Sequence, residues 1–266
     1  TAIDTQRDIF YVGMGEAGSY SIHVFDNAST NANILSRTIT ITTMHRVAGL
    51  ALDIANDRLY VVNLDITTAT TTNRFIFRIN NASTRNGTLV AGTDFAQISS
   101  TALHVGNQGL RRMALDTQRD ILYICHYGNN TVLAYDNVST YAHGTTQEPA
   151  RTITNILQPT GVAVDMTNNI LFIATINPVS IRIFDSGSTV NGTPAANRTI
   201  TGASLSQPFG IQFIESLNRL YVANYNATTG RILYYNNART VNGSPAPTVQ
   251  SANIAGPVDI SVDITR

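Results

Sequence analysis

The strongest constraint in this chain is a period. An Asp followed seven residues later by an aromatic residue occurs at Asp4 and Tyr11, Asp53 and Tyr60, Asp116 and Tyr123, and Asp165 and Phe172. Ile214 and Tyr221 keep the same frame, and Asp263 opens one more copy. Successive anchors are 49, 63, 49, 49 and 49 residues apart. A repeat of this length is one supersecondary unit that buries its apolar face only against its neighbours. The chain is therefore an array first, and any motif in it must be weighed against the repeat.

Each unit reads as four short strands. In the fourth these are Gly161–Asp165, Ile170–Thr175, Ser180–Asp185 and Asn197–Thr201, rich in Val, Ile, Thr and Phe and bounded by Asn, Asp, Gly or Pro. The third strand ends in related text, Val24-Phe25-Asp26-Asn27 and Ala134-Tyr135-Asp136-Asn137. The fourth carries Arg37-Thr38-Ile39, Arg151-Thr152-Ile153 and Arg198-Thr199-Ile200. No segment keeps a helical period, which excludes a parallel α/β sheet. Four-stranded units of this length predict an all-β fold, a β-propeller of four-stranded blades. Five complete units favour five blades, with six as the alternative, although a sixth blade needs three strands that the chain lacks. The expected organisation is one domain over 1–266, with units of about 1–49, 50–112, 113–161, 162–210 and 211–259 and a closing strand at 260–266. Because Asp263 matches Asp4, the C-terminal copy is expected to close the ring and displace Thr1–Arg7.

The Pro-x-Gly-hydrophobic-Ala-hydrophobic-Asp text at Pro159–Asp165, then Leu-Tyr-Val at Leu220–Val222, then hydrophobic-Phe-Asp at Val24–Asp26, resembles NHL-type propeller repeats. It is closer still to Asn/Thr-rich versions in bacterial surface and periplasmic proteins. The resemblance covers essentially the whole chain, best in 110–263. It implies an interaction platform outside the cytoplasm, extracellular or periplasmic. Related propellers that act as metal-dependent lactonases or lyases set the alternative.

Composition narrows the partners. The 266 residues carry 17 basic and 17 acidic side chains, and only 13% are charged, against ~25% in typical soluble domains. Uncharged polar residues fill the difference, with 35 Thr and 26 Asn, and every basic side chain is Arg, none Lys. Neutrality removes the electrostatic footprint of a nucleic-acid binder. No apolar run approaches the ~18 residues of a membrane span. One cysteine, Cys125, makes neither a disulfide nor a metal cluster, and its place at the end of an apolar strand marks it as core. Thr at position 1 and the lack of a signal-peptide pattern lead us to expect a processed or trimmed chain.

Several motifs dissolve into the repeat. Gly13-Met14-Gly15-Glu16-Ala17-Gly18 matches a dinucleotide fingerprint, but Ser19–Phe25 alternates like a strand where the fingerprint needs a helix. A hairpin loop is expected there. The recurring Asp residues are expected to fix the turn after the first strand rather than to ring a metal. Asn27, Asn137, Asn191 and Asn242 precede x-Ser/Thr and read as turn text first, becoming glycosylation acceptors only in a secreted eukaryotic chain. His45, His104 and His126 lack metal-motif spacing, and only Glu16, Glu148 and Glu215 are available as glutamate acids. No metal, no cofactor and no catalytic residue is assigned.

Departures from the repeat are more telling. Four residues before the anchor stand Gly49, Gly161 and Gly210, but Arg112 and Asp259 in two units. Arg111, His45 and Phe209 share these entry loops. Glu16, Asp65, His126, Tyr127 and Tyr225 fall between second and third strands, on the same face in a propeller. His45, Arg111, Arg112, His126, Tyr127, Phe209 and Asp259 form the expected ligand- or partner-binding face. Arg112 with Asp259 reads either as a small-anion or sugar site or as an inter-blade salt bridge, the latter favoured. Unit two holds 14 extra residues, five in 64–74 and nine between Asn81 and Asp116, placed largely in 99–111. The favoured function is a non-enzymatic extracytoplasmic binding or assembly scaffold for a protein partner or itself, with a small polar ligand as a further possibility. The alternatives are a metal-assisted hydrolase, lactonase or lyase at the channel mouth, and a carbohydrate-binding propeller, against which the lack of Trp weighs.

Overall fold

The structure, a computed structural model, describes residues 1–15, 20–31, 34–64, 74–105, 109–249 and 251–265. It is an all-β, five-bladed β-propeller of four-stranded antiparallel blades. Blade 1 comprises Ala2–Asp4, Ile9–Gly13, Ile22–Asp26 and Arg37–Thr40, and blade 2 Arg46–Asp53, Arg58–Leu64, Ile76–Asn80 and Phe95–Ile98. Blade 3 comprises Leu110–Asp116, Ile121–His126, Thr131–Asp136 and Arg151–Ile153. Blade 4 is Pro159–Asp165, Ile170–Ile176, Val179–Phe184 and Arg198–Ile200, and blade 5 is Pro208–Ile214, Arg219–Asn224, Arg231–Asn236 and Thr248–Val249. Two compact units result. One holds blades 1 and 2 with 137–149 and the segment from Ser261, and the other holds blades 4 and 5 and blade 3 from Arg111.

Second strands are buried on both faces, which is why Leu59-Tyr60-Val61-Val62 and Leu171-Phe172-Ile173-Ala174 read as unbroken apolar runs. Blades pack sheet on sheet. Phe172 of blade 4 stacks on Phe213 of blade 5 with ring centroids 5.0 Å apart. Each aromatic seven residues after the anchor is thus a packing residue.

Local chemistry repeats as faithfully as the strands. The residue before each second strand is left-handed: Asp8, Asp57, Asp120, Asn169 and Asn218 have φ between 46 and 59°. Asp and Asn tolerate this region best among residues with a Cβ. Their side chains then reach the turn that follows the third strand. Asp8 accepts from Ser29 N at 2.9 Å, Asp57 from Ser83 N at 2.9 Å, Asn169 from Ser188 N at 2.8 Å and Asn218 from Arg239 N at 3.0 Å. Asn169→Ala removes both the tolerance and the acceptor, and is expected to lower stability by about 1–2 kcal/mol in urea unfolding.

The Asn-x-Ser/Thr text has two structural uses. Asn27 and Asn137 are left-handed residues that open the turn after the third strand. Asn191 and Asn242 instead clip neighbouring blades. Asn191 Oδ1 accepts from Thr152 N at 3.0 Å and Asn242 Oδ1 from Thr199 N at 2.9 Å, while Gly192 and Gly243 bridge in parallel to Ile153 and Ile200. In the first compact unit Asn86 does the same for Thr38, and Gly87–Thr88 adds a parallel fifth strand to blade 1. The loop of one blade thereby covers the exposed outer strand of the one before it, which removes an edge open to pairing.

Three expectations need correction or restriction. Ala2–Asp4 pairs with Ile9–Tyr11 as the innermost strand of blade 1, so the C-terminal copy does not displace it. An edge accepts one strand, and this edge is occupied. Residues 260–265 form no strand, and Ser261 Oγ lies 2.8 Å from Thr1 Oγ1. The glycine-rich stretch after Ile9–Gly13 leads to the antiparallel strand Ile22–Asp26, as a hairpin does, with 16–19 outside the described residues. The nine residues placed largely in 99–111 of unit two fall mostly in the connection from Ile98 to Leu110. This connection is 11 residues long, against five from Thr40 to Arg46 and five from Ile153 to Pro159. Its described part includes the 3-10 turn Thr101–Leu103. Residues 65–73 and 106–108 lie outside the described part, but Arg74 at the border is fully buried and donates to Leu103 O at 2.9 Å.

Candidate functional site

The anchor aspartates are turn residues. Asp4 Oδ1 accepts from Gln6 N and Arg7 N, both at 3.0 Å, and Asp116 Oδ1 from Gln118 N and Arg119 N, again at 3.0 Å. Asp53 and Asp165 do the same for Asn56 and Asn168. With their lone pairs committed, these carboxylates have no converging geometry for an ion. Among the described residues no three His, Cys, Asp or Glu side chains are grouped to hold a metal. Glutamates are spent on turns as well. Glu148 accepts from Thr101 N at 2.7 Å and Ala102 N at 3.2 Å, and Glu215 from Met166 N at 2.6 Å. Burial opposes ionisation of Glu148, but the bonds from Thr101, Ala102 and Ser100 carry it below the usual carboxylate range. Glu16 and Asp65 lie outside the described residues.

Five of the seven candidate face residues come together in the compact unit of blades 3 to 5. Adjacent Arg111 and Arg112 follow Leu110 at the start of the first strand of blade 3. The Arg111 guanidinium lies over the Tyr127 ring, 4.6 Å from its centroid. Arg112 donates to Val258 O at 2.5 Å, stands 3.6 Å from the Asp259 carboxylate and lies 5.6 Å from the Phe209 ring centroid. Phe209 in turn packs on Tyr225, centroids 5.2 Å apart at 58°. The favoured reading of Arg112 and Asp259 as a salt bridge matches this geometry. With both side chains partly exposed, the pair contributes about 1 kcal/mol or less. Its value is placement, because it fixes a cationic plane against an aromatic one.

Backbone spacing explains why glycine holds this position elsewhere. A Cβ on Gly161 would run into the carbonyl oxygen of Phe209, and one on Gly210 would lie 2.6 Å from Asp259 Oδ1. At Gly161 and Gly210 the neighbouring backbone approaches that closely, so only glycine fits there.

The two histidines are placed otherwise. His126 ends the second strand of blade 3 and is fully buried, so it offers no surface. His45 belongs to the other compact unit, where its ring lies 5.6 Å from that of Tyr20. Cys125 is a fully buried free thiol. Burial pushes its pKa well above the ordinary range, against the pull of Arg112 and Arg111, which leaves no thiolate for chemistry.

Two hollows, each of about 270 Å³ and lined by both polar and apolar side chains, occur in blades 4 and 5, and sequence reading did not single them out. They contain Arg182 and Arg231, which lie on third strands outside the Arg-Thr-Ile frame. That displacement is the one signal that could have marked them.

No family model matches the chain, and no curated protein matches it. Among solved structures, a chain in the crystal structure of the nidogen/laminin complex superposes with a TM-score of 0.64 at 13% identity. The match covers 97% of this chain and 81% of that one. At such identity the likeness is one of fold alone. No helix among the described residues is long and apolar enough to cross a membrane.

Proposed function

We propose that the protein is a non-enzymatic, extracytoplasmic binding scaffold of NHL-like repeats. Its partner-binding face carries Arg111, Arg112, Tyr127, Phe209 and Asp259, and a protein is its partner. The observation that carries this reading is the pair of fixed stacks, Arg111 on Tyr127 and Arg112 on Phe209, the latter ring backed by Tyr225. Arg and Tyr dominate the binding energy of protein interfaces, and planes already ordered lose little entropy on association. Val258, 45% exposed beside Arg112, adds apolar surface to the same cluster. The solved neighbour, a chain from a protein–protein complex, shares the scaffold on which such a face is built.

The test is site-specific photo-crosslinking. A benzophenone side chain at Phe209 is expected to give a defined protein adduct, either heterologous or with a second copy. The same group at Ser188, in the turn after the third strand of blade 4, is expected to give none. Arg112→Ala should lower the Phe209 adduct yield by about tenfold, the loss of one interface anchor worth ~1.4 kcal/mol. Equal adducts at both positions would defeat the assignment of the face. A stoichiometric metal ion removed by chelator, together with an esterase activity lost with it, would defeat the non-enzymatic reading.

A further inference from the structure

The hollows of blades 4 and 5 are the same site written twice. Asn155, Leu157, Thr175 and Asn177 line one, and Ser204, Ser206, Asn224 and Asn226 line the other, each pair 49 residues apart. Both sit between the loop that enters the blade, the hairpin joining its second and third strands, and the outward part of the third strand. The arginine enters from two ladder positions. Ser180 pairs with Thr175 and Arg182 with Ile173 in blade 4, while Arg231 pairs with Asn224 and Leu233 with Val222 in blade 5. Arg182 and Arg231 are therefore offset by two residues on one strand face, and both reach the same hollow. In blade 3 the place of Arg182 is taken by Leu133, which pairs with Ile124 and is buried.

Arg7, Arg37, Arg85, Arg112, Arg119, Arg151, Arg198 and Arg239 each have an Asp within ion-pair distance. Neither arginine of the hollows is paired with a carboxylate, a state shared among the described residues with Arg46, Arg58 and Arg219. Arg182 donates to Asn155 O at 2.7 Å and Pro194 O at 3.2 Å, and Arg231 Nε donates to Asn253 Oδ1 at 3.0 Å. These neutral acceptors aim each guanidinium and leave several of its five donors uncommitted. Burial acts alone on Arg182, lowering its pKa with no carboxylate to oppose it. The walls hold themselves. Thr175 Oγ1 bonds Ser180 Oγ at 2.8 Å, and Asn224 Nδ2 donates to Ser204 O at 2.8 Å.

We infer that blades 4 and 5 each hold one anionic sugar residue, its acidic group on Arg182 or Arg231 and its hydroxyls on the Asn, Ser and Thr walls. A cation without a counter-ion, half-buried at Arg182 and exposed at Arg231, is completed by an oxyanion, which the guanidinium fork can take with two parallel bonds. The wall of amides and hydroxyls is interrupted by Leu157 and Pro178 in one hollow and by Leu233 in the other. Such a wall suits a body with both hydroxyls and C–H faces, and the volume suits one ring rather than a chain. Two sites per chain on neighbouring blades give avidity toward an acidic polysaccharide that no single hollow supplies. The acidic group is a carboxylate or a sulfate ester, which the guanidinium recognises alike.

The test is ligand-observed NMR on the intact protein with glucuronate, glucose 6-sulfate, glucose and sodium sulfate. One or both acidic sugars are expected to bind with a Kd on the order of 1 mM, which is about 4 kcal/mol, and whichever binds more tightly identifies the acidic group. Glucose is expected to bind at least tenfold more weakly. Arg231→Gln, a change at an exposed side chain that leaves the fold intact, should remove one of two sites, and R182Q with R231Q should remove both. Arg46→Gln, exposed in the other compact unit, should change nothing. Glucose binding as well as the acidic sugars would overturn the anion assignment. Sodium sulfate binding as tightly as glucose 6-sulfate, with no binding of glucuronate, would overturn the sugar assignment. Full affinity in the double variant, or no binding of either acidic sugar, would overturn the site itself. None of these results bears on the crosslinking face at Phe209.

Discussion

Asp165→Ala is expected to lower the unfolding free energy by about 2–4 kcal/mol, the range for removing one partner of a buried charged network. The carboxylate is fully buried and serves three groups at once. It accepts from Asn168 N at 3.2 Å, from Asn168 Nδ2 at 3.0 Å and from Arg239 Nε at 2.6 Å. The first two hold the turn after the first strand of blade 4. The third reaches 74 residues along the chain to the turn after the third strand of blade 5. Alanine leaves a turn amide without its acceptor and frees Arg239, whose partial exposure lets water recover some of the loss and keeps the figure below the full cost of a stranded charge. Asp165→Asn keeps the turn and weakens the link to Arg239, so its loss should be less than half as large. Urea unfolding of both variants measures the split. Equal losses would mean that the turn contributes nothing beyond the ion pair. Blade 5 shows how the position is filled otherwise: Ile214 replaces the Asp, and a 3-10 turn at Glu215–Leu217 closes the corner instead.

Gly161→Ala should be comparably damaging, by about 3 kcal/mol, for a different reason. The new methyl would collide with the backbone carbonyl of Phe209 and come within 3.3 Å of Ile211 N, and backbone cannot move aside as a side chain tip can. The change therefore forces the first strands of blades 4 and 5 apart at the residue that carries the Arg112 stack. Gly87→Ala is the control. Nothing lies within 4 Å of its missing Cβ, and only its φ of 73° opposes the change, at about 1 kcal/mol. Denaturation midpoints of the two variants separate close approach from backbone conformation. A Gly161→Ala midpoint equal to that of Gly87→Ala would remove close approach as the reason for the repeated glycine.

The absence of Lys has a partial physical account. Arg37, Arg151 and Arg198 each take both oxygens of an Asp at the end of the third strand, Asp26, Asp136 and Asp185, at 2.5–2.9 Å. A planar fork makes two parallel bonds to one carboxylate, and an ammonium does not. Arg111, Arg112, Arg182, Arg219 and Arg239 lie over aromatic rings, a second use of the same plane. Arg46 and Arg58 have no such use in the structure, and nothing explains why they are not Lys.

What was legible in the sequence was whatever every unit must solve for itself. The strand pattern, the five blades and the turn-fixing role of Asp4, Asp53, Asp116 and Asp165 are local, and each is repeated, so chance agreement cancels. The pairing of Arg112 with Asp259 was legible because both depart from a repeat that otherwise places glycine there. His126 was read as part of a face and is buried, because strand register alone cannot tell the last inward residue from the first outward one.

The sequence by itself therefore determined the blade, since 3.3 Å of rise per residue, alternating side chains and left-handed Asn and Asp turns follow from local chemistry. Only the tertiary structure decided what one blade does to the next. The Asn191 and Asn242 clips, the bond from Arg239 to Asp165 and the two hollows with their arginines all join residues far apart in sequence. Their partners are selected by where neighbouring sheets come to rest, and that is set by the packing of whole faces rather than by any residue in the pair.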